Sequence, residues 1–256
     1  MHIPPSHLPD QLTTDEVGAI LKARADIASK FIRGRGLEVG AGSRPFPHPP
    51  STQVSYGDIR DRDSLQKYFH GTEIKTGGHI NAQTFAGVEN ESLDFIISAH
   101  VIEHLRDPIG SIVNAIRVLK PGGIHLLVVP DMRYTFDRFR PETTLDHVLA
   151  DYGDGGASTC RISYEEHLRY VHPFLTGENY PEAEIQRQAS ENVKRWPEFD
   201  IHFHAWTRTG FETLLSAAKQ FAPFIVEAAI SVANENIFAL RKGVPQSIAQ
   251  QSTLNH

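Results

Sequence analysis

The run Leu37-Glu38-Val39-Gly40-Ala41-Gly42 decides how this chain is read. It is a short apolar segment that stops at a glycine-rich turn, the pattern of a buried parallel strand whose end lets a ligand reach the backbone. About 20 residues on, Asp58 closes a second extended run, Val54-Ser55-Tyr56-Gly57-Asp58, and a carboxylate there can accept both hydroxyls of a ribose. Two kinds of cofactor use this pair. A dinucleotide fingerprint needs a third glycine opening a helix, but its place, three residues after Gly42, holds Pro45, followed by Pro47, Pro49 and Pro50. Those prolines keep the crossover extended and deny a pyrophosphate its helix amino end, which disfavours an NAD-dependent oxidoreductase without removing it as an alternative.

Upstream, Thr13 and Glu16 form a capping box that opens a helix reaching Gly34, with an apolar stripe at Val17, Ile20, Leu21, Ile27, Ala28 and Phe31 interrupted by Arg24. Downstream, Asp61 caps a short helix over 64–69, and Gly78-His79-Ile80-Asn81 reads as a third strand. Leu93 to Ala99 is a fully buried fourth strand. Asp107-Pro108 then starts a helix with a stripe of Ile109, Ile112, Val113, Ile116 and Leu119, which stops at Pro121-Gly122-Gly123 before a fifth strand over 124–129. Residues 132–199 break the alternation with helical patterns at 144–152, 163–171 and 182–194. Thr207 caps a further helix, and 224–230 with 235–240 form an antiparallel hairpin turning near Asn234. The expected architecture is α/β: a Rossmann-like, seven-stranded, mostly parallel sheet ending in an antiparallel hairpin, with a helical insertion or lid (132–199) after strand 5. One domain spans 1–243, and a polar, flexible tail covers 244–256.

A chain of 256 residues is too short for two domains of average size, and 40% hydrophobic with 22% charged residues excludes wholesale disorder. Its longest apolar runs fall far below the roughly 20 residues a membrane span needs. The start Met1-His2-Ile3-Pro4-Pro5 does not read as a secretory signal, and the single cysteine, Cys160, suits a reducing compartment, so a cytoplasmic location is expected. A net charge of −6 with no long basic run argues against nucleic acid as a partner. Arg133, Arg138 and Arg140 form one local basic cluster, which either contacts a phosphorylated small molecule or is simply solvated.

The run from Leu37 to Gly42, then Asp58, then Ser92-Leu93-Asp94-Phe95-Ile96-Ile97-Ser98-Ala99-His100-Val101-Ile102-Glu103-His104-Leu105, then Arg117-Val118-Leu119-Lys120-Pro121-Gly122-Gly123, resembles the class I S-adenosylmethionine-dependent methyltransferases, in particular the small-molecule branch. The resemblance covers about residues 30–131 and the final hairpin. It implies S-adenosyl-L-methionine as cofactor, with Gly40, Ala41 and Gly42 against its amino-acid part, Asp58 on the ribose and Glu38 as a further cofactor-binding residue. It further implies Asn81 and Ala82 beside the adenine, and Ser98 and His100 bordering the sulfonium. Asn81 departs from the family's usual aspartate, and Arg44 stands where many members carry another glycine. A cofactor-binding scaffold without catalysis, serving a partner enzyme, is the alternative of another class.

Methyl transfer to a hydroxyl also requires a base. Asp131 lies just past the fifth strand, and His202 and His204 flank Phe203, so in an extended segment both imidazoles share one face. The pair reads as a base with its partner, or as two ligands of a divalent metal completed by Asp131 or His167. Residues 130–141 and 202–207 are similar to methyltransferases associated with bacterial surface-glycan synthesis. That similarity implies a small-molecule or glycan acceptor, methylated on a sugar hydroxyl, with Arg133, Tyr134 and Arg138 for hydroxyls or a nucleotide diphosphate.

Overall fold

The computed structural model describes residues 12–70, 72–196 and 199–244. Helix α1 (Thr14–Phe31) opens on the expected capping box, the Thr13 hydroxyl accepting the Glu16 N–H while the Glu16 carboxylate accepts the Thr13 N–H. The sheet that follows has six strands: β1 (Arg35–Val39), β2 (Gln53–Gly57), β3 (Leu93–Ala99), β4 (Leu119–Pro130), β5 (Phe224–Val232) and β6 (Glu235–Lys242). Their order is β2-β1-β3-β4-β6-β5, with β1 to β4 parallel and β6 antiparallel to both β4 and β5.

Alternation along the strands divides the core into two layers. Ile96 and Leu127 face helix α3 (Pro108–Val118) and helix α8 (Arg208–Ala218), where Ile112, Ile116, Phe211 and Leu214 are buried. Phe95, Ile97, Leu126 and Val128 face the other way, onto Ile27, Ala28 and Ile32 at the end of α1. Helix α3 begins where Asp107 accepts the Gly110 N–H at 2.7 Å, with Pro108 in the first turn. Between β4 and α8 the chain passes through short 3₁₀ turns and helices α4 (Leu145–Asp154), α5 (Cys160–Glu166), α6 (His172–Thr176) and α7 (Glu182–Arg195). A third apolar cluster, with Tyr164, Leu168, Ile185 and Phe203, holds α5 against α7.

Three expectations need correction. The third strand at 78–81 does not form; it contributes one bridge, Asp58 with His79, and two backbone bonds, Asp58 N–H to Gly78 O and Ile80 N–H to Asp58 O. The sheet therefore has six strands rather than seven among the described residues, because Gly77 and Gly78 supply no side chains to pack against the neighbouring strand. The fifth strand starts at Leu119, directly after α3, with a register shift opposite Leu93 to Phe95 where a separate turn was expected. The helix expected over 163–171 spans 160–176 as α5, a π turn (His167–Val171) and α6. Pro173 has no N–H to continue the α ladder, and the widened turn absorbs the break. Helix α2 (Arg62–Tyr68), capped by Asp61, and the hairpin sit where the sequence places them. No helix among the described residues is long and apolar enough to cross a membrane. The tail, apart from Val244, lies outside the described residues.

Ile96 has no exposed surface and packs between β1, β4 and α3. Ile96→Ala should lower unfolding stability by about 2–5 kcal/mol, read as a reduced midpoint in urea at unchanged slope.

Candidate active site

The sheet order reverses between β1 and β3, and ligands of open α/β sheets bind beyond the strand ends at that point. A cleft of about 980 Å³ lies there. Its floor is the carboxyl end of β1 and the turn after it, with Asp58 at the end of β2. Gly40, at φ +69°, has the close approach the turn requires: a Cβ there would meet Val101 Cγ2 at 2.6 Å. Two carboxylates sit on this floor. Glu38 accepts the Phe46 N–H through Oε1 at 2.8 Å, whereas its Oε2 is buried with no donor. Burial pushes Glu38 up to about 7, against the Phe46 hydrogen bond. Asp58 accepts the Arg60 N–H at 2.9 Å and is likewise raised by burial, an effect the Arg60 contacts reduce. Two desolvated carboxylates with spare acceptor atoms suit a ligand carrying a cation and hydroxyl donors.

A chain of charges forms the wall. Arg24, the residue that interrupts the stripe of α1, donates to Glu235 at 3.0 and 2.5 Å. Glu235 lies 2.7 Å from His100 Nε2, and His100 Nδ1 lies 3.6 Å from Glu103 Oε1. His100 has a left-handed backbone, φ +54°, uncommon outside glycine and a frequent mark of functional sites. Burial pulls His100 down, but the Glu235 hydrogen bond and the charges of Glu103 and Glu235 outweigh it and raise it to about 9. Further along, His104 Nδ1 lies 3.0 Å from Asp200 Oδ1, whose Oδ2 accepts from Arg60 at 2.9 Å. Burial would raise Asp200, yet His104 and Arg60 hold it down at about 2. Trp196, at the end of α7, and Tyr68, with Arg60 over its ring at 5.0 Å, add aromatic surface.

Of the residues expected from the sequence, Glu38, Gly40, Ala41, Asp58, Asn81, Ala82 and His100 line this cleft. Asn81 Oδ1 accepts the Gln83 N–H at 2.8 Å, leaving one lone pair for a ligand. Gly42 and Ser98 are not on it. Gly42 turns at φ +53° against the Phe69 ring, and Ser98 points into the sheet, its hydroxyl 2.8 Å from His125 Nε2.

His202, His204 and Asp131 do not line the cleft either, and the structure does not bring the three together. The segment around Phe203 is bent, with the N–H groups of both Phe203 and His204 donating to Glu103 O, so the alternation of an extended strand does not apply. His202 Nδ1 lies 2.6 Å from Asp137, and its ring meets that of His104 at 4.6 Å. His204 stacks on Trp206, and burial, reinforced by His147 and Arg140, holds it well below the usual imidazole range. Asp131 is taken by Arg133 at 2.9 and 2.8 Å and by Asn236 at 3.2 Å. This pairing also occupies Arg133, while Arg138 lies over the rings of Phe139 and Phe174; neither faces the cleft. For a metal, one group beside the wall has the residue types: Glu103, His104 and His202 offer ligand atoms within 4.8 Å of one another, though only His104 lines the cleft. Sequence reasoning missed Arg24, Arg60, Asp200 and Glu235 as cleft residues. The signal for two of them was present: a charge inside the apolar stripe of α1, and another opening the buried strand β6.

The family model described as a methyltransferase domain matches residues 15–218, and the chain belongs to this family. The family implies S-adenosylmethionine as methyl donor. No curated protein sequence matches the chain. Among solved structures, an S-adenosylmethionine-dependent methyltransferase from Thermotoga maritima, described as a possible histamine N-methyltransferase, is 12% identical, with 89% of this chain and 91% of that one covered and a TM-score of 0.45. The N-methyltransferase NodS from Bradyrhizobium japonicum is 12% identical over 90% and 98%, with a TM-score of 0.46. A methyltransferase from Methanosarcina mazei is 16% identical over 85% and 97%, with a TM-score of 0.45. Likeness at this level carries no argument about the substrate.

The raised His100 gives a pH prediction. Its contribution to stability is full below the ordinary imidazole value near 6.5 and is lost as pH rises through about 9. Unfolding stability followed from pH 6 to 10 should therefore fall over that window, and His100→Gln should flatten the fall.

Proposed function

We propose that this chain is an S-adenosylmethionine-dependent methyltransferase acting on oxygen of a small-molecule or glycan hydroxyl. The observation that carries the reading is the cleft at the β1/β3 switch, whose floor sets Glu38 and Asp58 beside the bare backbone of Gly40 and Ala41. These residues fit the cofactor. Glu38 Oε2 offers a buried acceptor to the ammonium, the spare oxygen of Asp58 offers one to the ribose diol, and Ile80, Asn81 and Ala82 flank the place of the base. When bound, S-adenosylmethionine supplies an electrophilic methyl on a positive sulfur.

The chain's residues then have three tasks: to orient the acceptor, exclude water and take its proton. His104 is the base we assign, because it lines the cleft and Asp200 orients it, an arrangement that none of Asp131, His202 or His204 has. Burial lowers His104, but Asp200 outweighs it, so its basic form appears above the ordinary imidazole range. Trp196, Tyr68 and Arg60 give the wall an aromatic surface next to hydrogen-bond donors, a combination that suits a sugar ring. The end of α7 and the segment after it cover one side, since Trp196 and Asp200 line the cleft.

Calorimetry with S-adenosylhomocysteine should give binding that Asp58→Ala weakens by about 10-fold or more, as expected for loss of a charge-assisted contact. Equal binding by that variant would remove the site. With labelled methyl donor and a panel of sugar acceptors, the rate should climb on the alkaline side with an inflection above pH 6.5, and His104→Ala should lower kcat while leaving cofactor affinity within a few-fold.

A further inference from the structure

A second ionisable cluster lies outside the cleft, where α4 meets the bent segment around Phe203. His147 and Asp151 stand one turn apart on α4, and His204 faces them. His147 Nε2 is 3.5 Å and His204 Nε2 is 3.6 Å from Asp151 Oδ2. All three atoms are buried without a hydrogen-bond partner. Asp151 itself has no exposed surface, and His204 has 1%.

The spacing is informative. An N–H···O hydrogen bond would close these gaps to about 2.7–3.2 Å, and neither is closed. Ligand atoms bound at about 2.0–2.2 Å to a tetrahedral ion stand roughly 3.4 Å apart along each edge, close to both observed separations. The carboxylate has the outer hydrogen-bond partner that a metal ligand carries, and the His204 ring is fixed by stacking, its Nδ1 having no partner. Asp151 Oδ1 accepts the Thr159 hydroxyl, Trp206 stacks on the His204 ring at 5.1 Å, and the two imidazoles meet at 79°. The Glu103, His104 and His202 group differs in its imidazoles, each of which already pairs with a carboxylate at hydrogen-bond distance: His104 with Asp200 at 3.0 Å and His202 with Asp137 at 2.6 Å. The imidazoles of the buried cluster have no carboxylate at that distance, and the nearby Arg140 guanidinium adds to burial in keeping both in the neutral form a metal ligand needs.

We propose that His147, Asp151 and His204 bind one divalent transition-metal ion of the zinc type. Imidazole and carboxylate ligands suit Zn²⁺, and three protein ligands leave one position for water. The ion ties α4 to the segment whose Phe203 and His204 N–H groups hold the Glu103 carbonyl, so it braces the cleft wall from behind. It also gives His204 a role that its distance from the cleft denies it in catalysis. The site does not depend on the methyl-donor reading, which cofactor calorimetry tests separately.

The test uses the full chain stripped with chelator and titrated with Zn²⁺. One equivalent should bind and raise Tm. Asp151→Asn and His147→Ala should each weaken Zn²⁺ binding more than about 100-fold, since even outer-sphere partners are worth 10–100-fold. His202→Ala, which alters only the cleft-side group, should retain the ion. No stoichiometric binding, binding indifferent to Asp151→Asn, or binding lost in His202→Ala alone would each overturn the proposal. Should the variants fail to fold by circular dichroism, Co²⁺ bound to the unaltered chain decides: visible bands of a tetrahedral nitrogen and oxygen site support it, and their absence refutes it.

Discussion

Glu103 is a carboxylate with no exposed surface, and the cleft wall is arranged around the need to compensate it. A charge taken out of water costs several kcal/mol unless an opposite charge and hydrogen-bond donors stand close by. His100 supplies the cation at 3.6 Å, and it can do so because Glu235 holds its other nitrogen and Arg24 holds Glu235. One electrostatic chain thus joins α1, the end of β3 and the start of β6, three elements far apart in sequence. The left-handed backbone at His100 is the local strain that brings the imidazole between its two carboxylates.

The same arrangement explains how a cleft lined by four carboxylates keeps its shape. Its floor carboxylates, Glu38 and Asp58, are held by backbone N–H groups and retain acceptor capacity, so they are free to meet a ligand. Its wall carboxylates, Glu235 and Asp200, are neutralised by side chains and act on position instead. This division separates the part of the cleft that suits a cationic nucleoside from the part lined by His104 and Trp196.

Most of the strands, the caps and the glycine turn with Asp58 beyond it were legible in the sequence because each depends on neighbours within a few residues. A capping box, an apolar period or a proline-rich crossover acts through local sterics and hydrogen bonds. The wall was not legible. Asp200 and Arg60 are 140 positions apart, and Arg24 and Glu235 are 211 apart; no local pattern announces such pairs. The histidine pair failed for a specific reason: the alternation argument requires extended backbone, and the shared carbonyl of Glu103 bends the segment so that His202 and His204 serve different clusters.

By itself the sequence determined an α/β sheet with an antiparallel end, a glycine turn at Gly40 and a carboxylate at Asp58, since backbone conformation and burial pattern follow from residue type. Packing in three dimensions is what limits the sheet to six strands among the described residues, brings His104 to the cleft beside the expected His100 and turns His204 away from it. Strand count depends on whether a marginal segment finds enough partners. The direction of a side chain at a bend depends on which distant carbonyl captures the backbone, and neither is encoded within a window of neighbouring residues.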